Sequence, residues 1–124
     1  MTGKEYVELA MRTNDGRCKE RLQSKIDSNM LVDISEVLNA SLGLSGEVGE
    51  LNDMVKKFIY HGTPMDEAHF KKEMGDILWY LALMCHACGY DLDTIMEMNI
   101  DKLKARYPEG FDIHKANNRQ KGDI

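Results

Sequence analysis

The sequence predicts an all-α protein: an antiparallel helical bundle of about four helices, forming one domain over residues 1–124. Apolar residues recur at intervals of three and four, and no window shows the two-residue alternation of a strand. Both prolines, Pro64 and Pro108, lie where the helical patterns break. Short links after Ile59 and Gly89 make consecutive helices antiparallel neighbours, which favours a bundle.

The first predicted helix runs from Lys4 to Thr13 and has a face formed by Tyr6, Leu9, Ala10 and Thr13. The Asn14-Asp15-Gly16 sequence that follows is typical of a turn. Residues 17–28 are polar and poorly patterned, so the sequence leaves open a long connection or a weak helix there.

The second predicted helix runs from about Asn29 to Ile59 and contains three glycines in seven residues: Gly43, Gly46 and Gly49. A glycine inside a helix costs about 1 kcal/mol relative to alanine. We therefore expect close approach of another element or a ligand to the backbone, or a bend, at this segment.

The third helix is expected to start at Thr63-Pro64, with threonine as the N-cap and proline at the first helical position. It should end near Cys88, where Gly89 follows. The last helix should begin at Asp91 or Asp93 and end at residues 108–110. The polar tail, residues 111–124, is expected to be loosely ordered.

Two pairs of acidic residues are the most informative feature of the sequence: Glu47 and Glu50 in GEVGEL, and Glu73 and Asp76 in EMGDIL. Residues three apart lie about 60° apart around a helix, so each pair shares a face. On the helical wheel both pairs border the apolar stripe in the same way. A single such pair is usually a solvated face, but two pairs beside packed stripes can converge at one seam.

Converging carboxylates repel one another, so a cation or raised pKa values must compensate. Oxygen-only ligands suit hard divalent cations, above all Mg²⁺, with Mn²⁺ as an alternative. The sequence therefore predicts a divalent-cation site. Such a site commonly binds phosphates in its open coordination positions.

Net charge and composition exclude other classes of partner. The net charge of −5 and pI near 5.3 argue against a duplex nucleic-acid binder. No apolar run approaches the roughly 20 residues needed to span a bilayer, so no membrane partner is expected. Three cysteines and an N-terminus without an apolar targeting core predict a reduced, cytoplasmic protein.

Around these acids the sequence resembles the MazG-like nucleotide pyrophosphohydrolases of the all-alpha NTP pyrophosphatase superfamily. The resemblance is carried by LGLSGEVGELNDMVKK, KKEMGDILWYLALMC and NIDKLKARYPEGF, with E-x-x-E and E-x-x-D separated by a spacer of the expected size. It implies a homodimer or homotetramer that cleaves NTPs or dNTPs to a nucleoside monophosphate and pyrophosphate. The implied Mg²⁺ ligands and catalytic acids are Glu47, Glu50, Glu73 and Asp76.

Other functions remain open on the same scaffold. A catalytically inactive module that binds a nucleotide or a protein would keep the same helices without turnover. A different metal-dependent phosphohydrolase would release another product from the same site.

Five further residues are candidate substrate contacts. Lys57 lies on the Glu50 side of its helix, although a solvated lysine near a helix end is an equally good interpretation. Asn99, on an apolar face, is followed at helical spacing by Lys102 and Arg106, so all three are candidates for binding phosphate or sugar. Tyr107 could stack on a base or cap the core.

The sequence assigns no metal to its cysteines or histidines. Cys85 and Cys88 form a lone C-x-x-C without the two further ligands of a structural zinc site. We predict no ligand-like grouping for His61, His69 or His114.

Overall fold

Six helices and no strand occur in residues 1–119, the part of the chain that the computed structural model describes. This confirms the predicted all-α class and is consistent with a helical bundle. The helices are α1 (Gly3–Met11), α2 (Cys18–Ser28), α3 (Ile34–Tyr60), α4 (Glu67–Cys88), α5 (Leu92–Arg106) and α6 (Ile113–Asn117).

Local side-chain bonds explain the first two helices. Thr2 and Glu5 form a capping box at the start of α1, which satisfies two backbone N–H groups that have no partner within the helix. Residues 18–28, which the sequence left open, form helix α2. Exposed ion pairs of Arg17 with Glu20 and of Arg21 with Asp15 lie at its start.

Helix α3 begins at Ile34, so the prediction that helix starts near Asn29 was wrong. Asp33 is the N-cap, and its side chain accepts a hydrogen bond from the Glu36 backbone N–H at 3.2 Å. The carboxylate of Asp33 also accepts from Ser35 Oγ at 2.6 Å. These bonds fix the first turn of α3 at a position that the apolar spacing did not reveal.

Helix α4 begins at Glu67, so the predicted start at Thr63-Pro64 was wrong as well. Asp66 accepts the His69 backbone N–H with its side chain at 3.0 Å, and its backbone oxygen accepts the Phe70 N–H at 2.9 Å. The predicted end at Cys88 is confirmed, and Gly89 follows with a φ of 69°.

Helices α3 and α4 pack along each other in antiparallel orientation. At one end, the Asp33 backbone N–H donates to the Ala87 carbonyl at 3.0 Å. Further along, Gly43 of α3 faces the ring of Tyr80. The buried apolar residues of the described chain, Ala40 and Ala87, lie one on each of these two helices. This register places the middle of α3 opposite the first half of α4.

Residues 89–119 of the described chain belong to a second compact unit. Asp91 caps α5, and the carboxylate of Asp112 caps α6 by accepting the Lys115 backbone N–H at 3.1 Å. The short helix α6 therefore occupies part of the tail for which little order was expected. Residues 120–124 lie outside the described residues.

None of the described helices combines the length and the apolar character needed to cross a bilayer.

Candidate metal centre

Three acidic side chains from the two packed helices meet at one point. Each of Glu47 on α3 and Glu73 and Asp76 on α4 offers a carboxylate oxygen, and these oxygens lie within 4.8 Å of one another. Glu73 and Asp76 share a face because they are three residues apart on a helix. Glu47 joins them because α3 and α4 run antiparallel in the register described above. The predicted convergence of acids from both helices is thus present for three of the four.

Glu73 is the most enclosed member of this three-acid cluster. It is 9% exposed and is the buried charged residue of the described chain. Its Oε1 lies 2.8 Å from His69 Nε2, whereas its buried Oε2 has no hydrogen-bond partner among the described residues. A buried carboxylate oxygen without a partner is costly unless a cation or a proton compensates for it.

Glu47 is a member of the three-acid cluster whose pKa is changed by its surroundings. Its pKa is raised above the ordinary value of 4.5, first because partial burial removes hydration from the charged form. The negative charges of Glu50, Asp76 and Glu73 raise this pKa further, in that order. The like charges around Glu47 therefore repel one another, and a divalent cation bound among these carboxylates would relieve that repulsion.

The donor set fits a hard divalent cation. All three groups offer carboxylate oxygens, which Mg²⁺ and Mn²⁺ prefer, and no cysteine or histidine belongs to the three-acid cluster. The partnerless Glu73 Oε2 is already desolvated, so binding a cation there would compensate for a cost that the fold already bears. The residues present therefore fit the predicted ion.

Glu50 lies outside the three-acid cluster. It is exposed on α3, one turn beyond Glu47, and it influences the site through its charge on the pKa of Glu47. Its role as a direct ligand stays a prediction.

Lys57 is already paired in the described chain. Its Nζ lies 2.7 Å from Asp53 Oδ2, and Lys56 Nζ lies 3.7 Å from the other oxygen. These cations hold the pKa of Asp53 below its ordinary value, with the hydrogen bond from Lys57 as the largest cause. Contact of Lys57 with a phosphate, which stays a prediction, would require it to leave or share Asp53.

The remaining predicted substrate contacts belong to the second unit. Asn99 and Lys102 are exposed on α5, so Asn99 is open to solvent although its neighbours on that face are apolar. The Arg106 guanidinium lies 5.9 Å from the ring centroid of Tyr107, which itself lies 5.5 Å from the ring of Phe111. Tyr107 therefore already has an aromatic and a cationic neighbour, and its binding role stays a prediction.

His69 is the residue that sequence reasoning missed. We predicted no ligand-like grouping for it, yet its ring contacts a member of the three-acid cluster. The available signal was its spacing of four residues from Glu73, which places the two side chains one above the other on a helix.

Comparison with known proteins agrees with this arrangement. Residues 35–111 match the MazG nucleotide pyrophosphohydrolase domain. The chain belongs to the MazG nucleotide pyrophosphohydrolase family. It is also 30% identical over 83 residues to the Gene 37 protein of Mycobacterium phage L5, covering 64% of this chain and 73% of that protein. No solved structure matches the chain.

The MazG match includes nearly all of α3 and the whole of α4 and α5. All nine predicted site residues therefore fall inside the matched region. Helices α1 and α2 lie before it.

Proposed function

We propose that this MazG domain hydrolyses nucleoside triphosphates, NTPs or dNTPs, to a nucleoside monophosphate and pyrophosphate, with Mg²⁺ as its cofactor. The observation that supports the proposal most directly is the three-acid cluster, in which Glu47, Glu73 and Asp76 bring carboxylate oxygens within 4.8 Å of one another. Membership of a family of nucleotide pyrophosphohydrolases supports the same reaction class.

In the proposed mechanism the acids hold the cofactor and orient the attacking water. Glu47, Glu73 and Asp76 would bind Mg²⁺, with Glu50 as a fourth ligand one turn away. When bound, Mg²⁺ supplies charge neutralisation on the phosphates and a lowered pKa for water. One of the acids, or a neighbouring one, would accept a proton from the water and aim it in line with the scissile bond.

The basic and aromatic candidates would position the substrate. Lys57 would reach the phosphates by exchanging its Asp53 partner for a phosphate oxygen, because both are anionic acceptors. Asn99, Lys102 and Arg106 would bind phosphate or sugar, and Tyr107 offers a ring face for the base. Phosphoryl transfer needs positioning and electrostatic stabilisation more than covalent help, and these residue types provide both.

We further propose that the chain works as a homodimer or homotetramer in the cytoplasm. Large apolar side chains are exposed along both packed helices, including Leu42 (73% exposed) on α3 and Leu78 (64%) and Trp79 (58%) on α4. A subunit interface would remove such exposed apolar side chains from water. Cys18, Cys85 and Cys88 are all free thiols, as in a reducing compartment.

The proposal is tested by incubating the purified chain with a panel of NTPs and dNTPs in Mg²⁺ and separating the products. We expect pyrophosphate and nucleoside monophosphate. The Glu73→Gln variant should lose at least about 100-fold in turnover because it removes a ligand charge. Glu67→Gln, an exposed acid in the first turn of the same helix, is the matched control and should keep wild-type activity.

The product pattern separates the competing functions. Release of single phosphate would indicate another phosphohydrolase. Saturable nucleotide binding, with no turnover of any nucleotide in the panel, would indicate an inactive binding module. Turnover that survives in Glu73→Gln would remove the proposed metal site.

A further inference from the structure

We propose that His69 is a positioning residue for the metal site: its ring holds one oxygen of Glu73 so that the other is presented to the divalent cation. This inference rests on the proposed function, because it assigns a role at the same site. Its basis is that the two oxygens of one buried carboxylate have different surroundings. Oε1 contacts His69 Nε2 at 2.8 Å, and Oε2 is buried without a hydrogen-bond partner in the described chain.

The start of α4 fixes where the His69 side chain can reach. The Asp66 carboxylate accepts the His69 backbone N–H at 3.0 Å, which anchors His69 in the first turn. Glu73 follows one turn later, and side chains four apart lie on the same face of a helix. The cap, the histidine and the buried acid therefore form one chain of contacts from the helix start to the three-acid cluster.

The direction of the hydrogen bond follows from its chemistry. In the ionised form that binds a cation, the Glu73 carboxylate can only accept, so Nε2 must carry the ring proton and donate a hydrogen bond to Oε1. Oε1 thereby accepts a hydrogen bond of ordinary length from His69. The cation can then be bound by Oε2 without competition for the same lone pairs.

Glu73 needs such a restraint because its neighbours repel it. Glu47 and Asp76 carry like charges within the three-acid cluster, and an unrestrained carboxylate would rotate towards water to lower that repulsion. The His69 bond opposes this rotation before any cation arrives. Hydrogen bonds of this kind to a metal ligand typically change metal affinity by about 10–100-fold when they are removed.

The experiment measures binding of Mn²⁺ alone to the full chain by electron paramagnetic resonance at one fixed pH. His69→Leu removes the donor, whereas His69→Gln keeps an N–H group at a similar reach. The His69 side chain is 57% exposed, and leucine and glutamine are both good helix formers, so both variants should fold. His86→Leu on the same helix, with a side chain 79% exposed, is the matched control.

We expect His69→Leu to weaken Mn²⁺ binding at least about tenfold, and His69→Gln and His86→Leu to stay within about threefold of wild type. Wild-type affinity in His69→Leu would overturn the inference. Equal losses in His69→Leu and His69→Gln would also overturn it, because the donor would then not be the cause.

A failure of the proposed function has a different signature. The proposed metal site would be contradicted if the wild type did not bind Mn²⁺, or if Glu73→Gln bound it as well as wild type. The proposed role of His69 would then be wrong too. Binding that requires Glu73 but not His69 overturns the inference alone.

A second measurement needs no variant. The ¹⁵N chemical shifts of the His69 ring in the metal-free chain should show Nε2 protonated when the ring is neutral. A neutral ring protonated at Nδ1 would contradict the proposed hydrogen bond.

Discussion

Gly43 of α3 lies so close to the ring of Tyr80 on α4 that a Cβ atom at Gly43 would overlap the ring carbons. This is the close backbone approach that the glycine-rich segment predicted, made by another helix. The contact lies in the pair of helices that carries the three-acid cluster, about one turn of α3 before Glu47. The separation of α3 and α4 at the cluster therefore depends in part on the absence of a side chain at Gly43.

We expect Gly43→Ala to destabilise the chain by about 1–3 kcal/mol, because the added methyl group forces the helices apart or the Tyr80 ring out of place. The matched control is Gly46→Ala on the same helix, where an added Cβ meets nothing within 4 Å. There alanine should stabilise α3 by roughly 0.5–1 kcal/mol through helix propensity alone. Urea unfolding followed by circular dichroism measures both.

Changes of opposite sign in the free energy of unfolding for Gly43→Ala and Gly46→Ala would support the described packing. Stabilisation by Gly43→Ala would contradict it. Destabilisation by Gly46→Ala would mean that this face of α3 is covered in solution, as in the proposed homo-oligomer, and light scattering on the variant would then test whether the oligomer dissociates.

Glu47 makes the stability of the metal-free chain depend on pH. Its folded pKa is raised above 4.5, so the folded chain binds the proton more tightly than the unfolded chain. Stability should therefore fall as pH rises from about 4.5 through the raised pKa, and the penalty should persist at higher pH. At low pH both states are protonated and the penalty disappears.

Glu47→Gln isolates this effect. In metal-free buffer its thermal midpoint should exceed that of wild type near pH 7, and the difference should disappear as the pH falls below about 4.5. Thermal melts in EDTA across this range provide the comparison. A difference that grows as pH falls would show that the sign of the pKa shift is wrong.

Much of the fold follows from patterns that the sequence displays directly. The three- and four-residue apolar spacing predicted the all-α class, and Gly89 correctly marked the end of α4. Within each acidic motif, residues three apart share a helix face whatever the packing. Packing of the two helices along those faces was therefore predicted to bring their carboxylates together. Glu47, Glu73 and Asp76 meet in this way, whereas Glu50, the fourth predicted acid, lies outside the three-acid cluster.

The errors occurred where two local signals competed. Thr63-Pro64 is a good helix start, but Asp66 provides the carboxylate that accepts the His69 backbone N–H, so α4 begins three residues later. Asp33 is likewise the N-cap of α3, so this helix begins at Ile34 and not near Asn29 as predicted. The separate position of Glu50 and the role of His69 depend on side-chain conformations within a turn, which residue spacing restricts but does not determine.

The Asp66 cap can be tested against the cap that the sequence suggested. Asp66→Ala should lower the free energy of unfolding by about 1 kcal/mol, because the first turn of α4 loses the acceptor for the His69 N–H. Asp66→Asn should retain most of the stability, since asparagine is an equally good N-cap. Thr63→Ala should change the stability by less than about 0.5 kcal/mol, as expected away from a cap.

Denaturant midpoints distinguish the two caps. If Thr63→Ala were the costlier substitution, α4 would begin where the sequence first suggested. The three-residue shift described for the start of this helix would then be wrong.

The three-acid cluster should make the stability of the chain respond to divalent cations. A ligand that binds only the folded state at about 100 times its Kd adds about 2.7 kcal/mol. For a chain of this size that raises the thermal midpoint by roughly 10 °C. Sodium chloride at the same ionic strength controls for general screening of the acids and should produce a much smaller shift.

Glu73→Gln should separate the stability of the cluster from its capacity to bind a cation. In EDTA the variant should be at least as stable as wild type, because a carboxylate that repels its neighbours is removed from a buried position. In Mg²⁺ its midpoint should not rise, because the buried Oε2 that lacks a partner is no longer part of a charged ligand. A variant that is destabilised in EDTA yet still responds to Mg²⁺ would mean that Glu73 stabilises the fold and that the cation binds elsewhere.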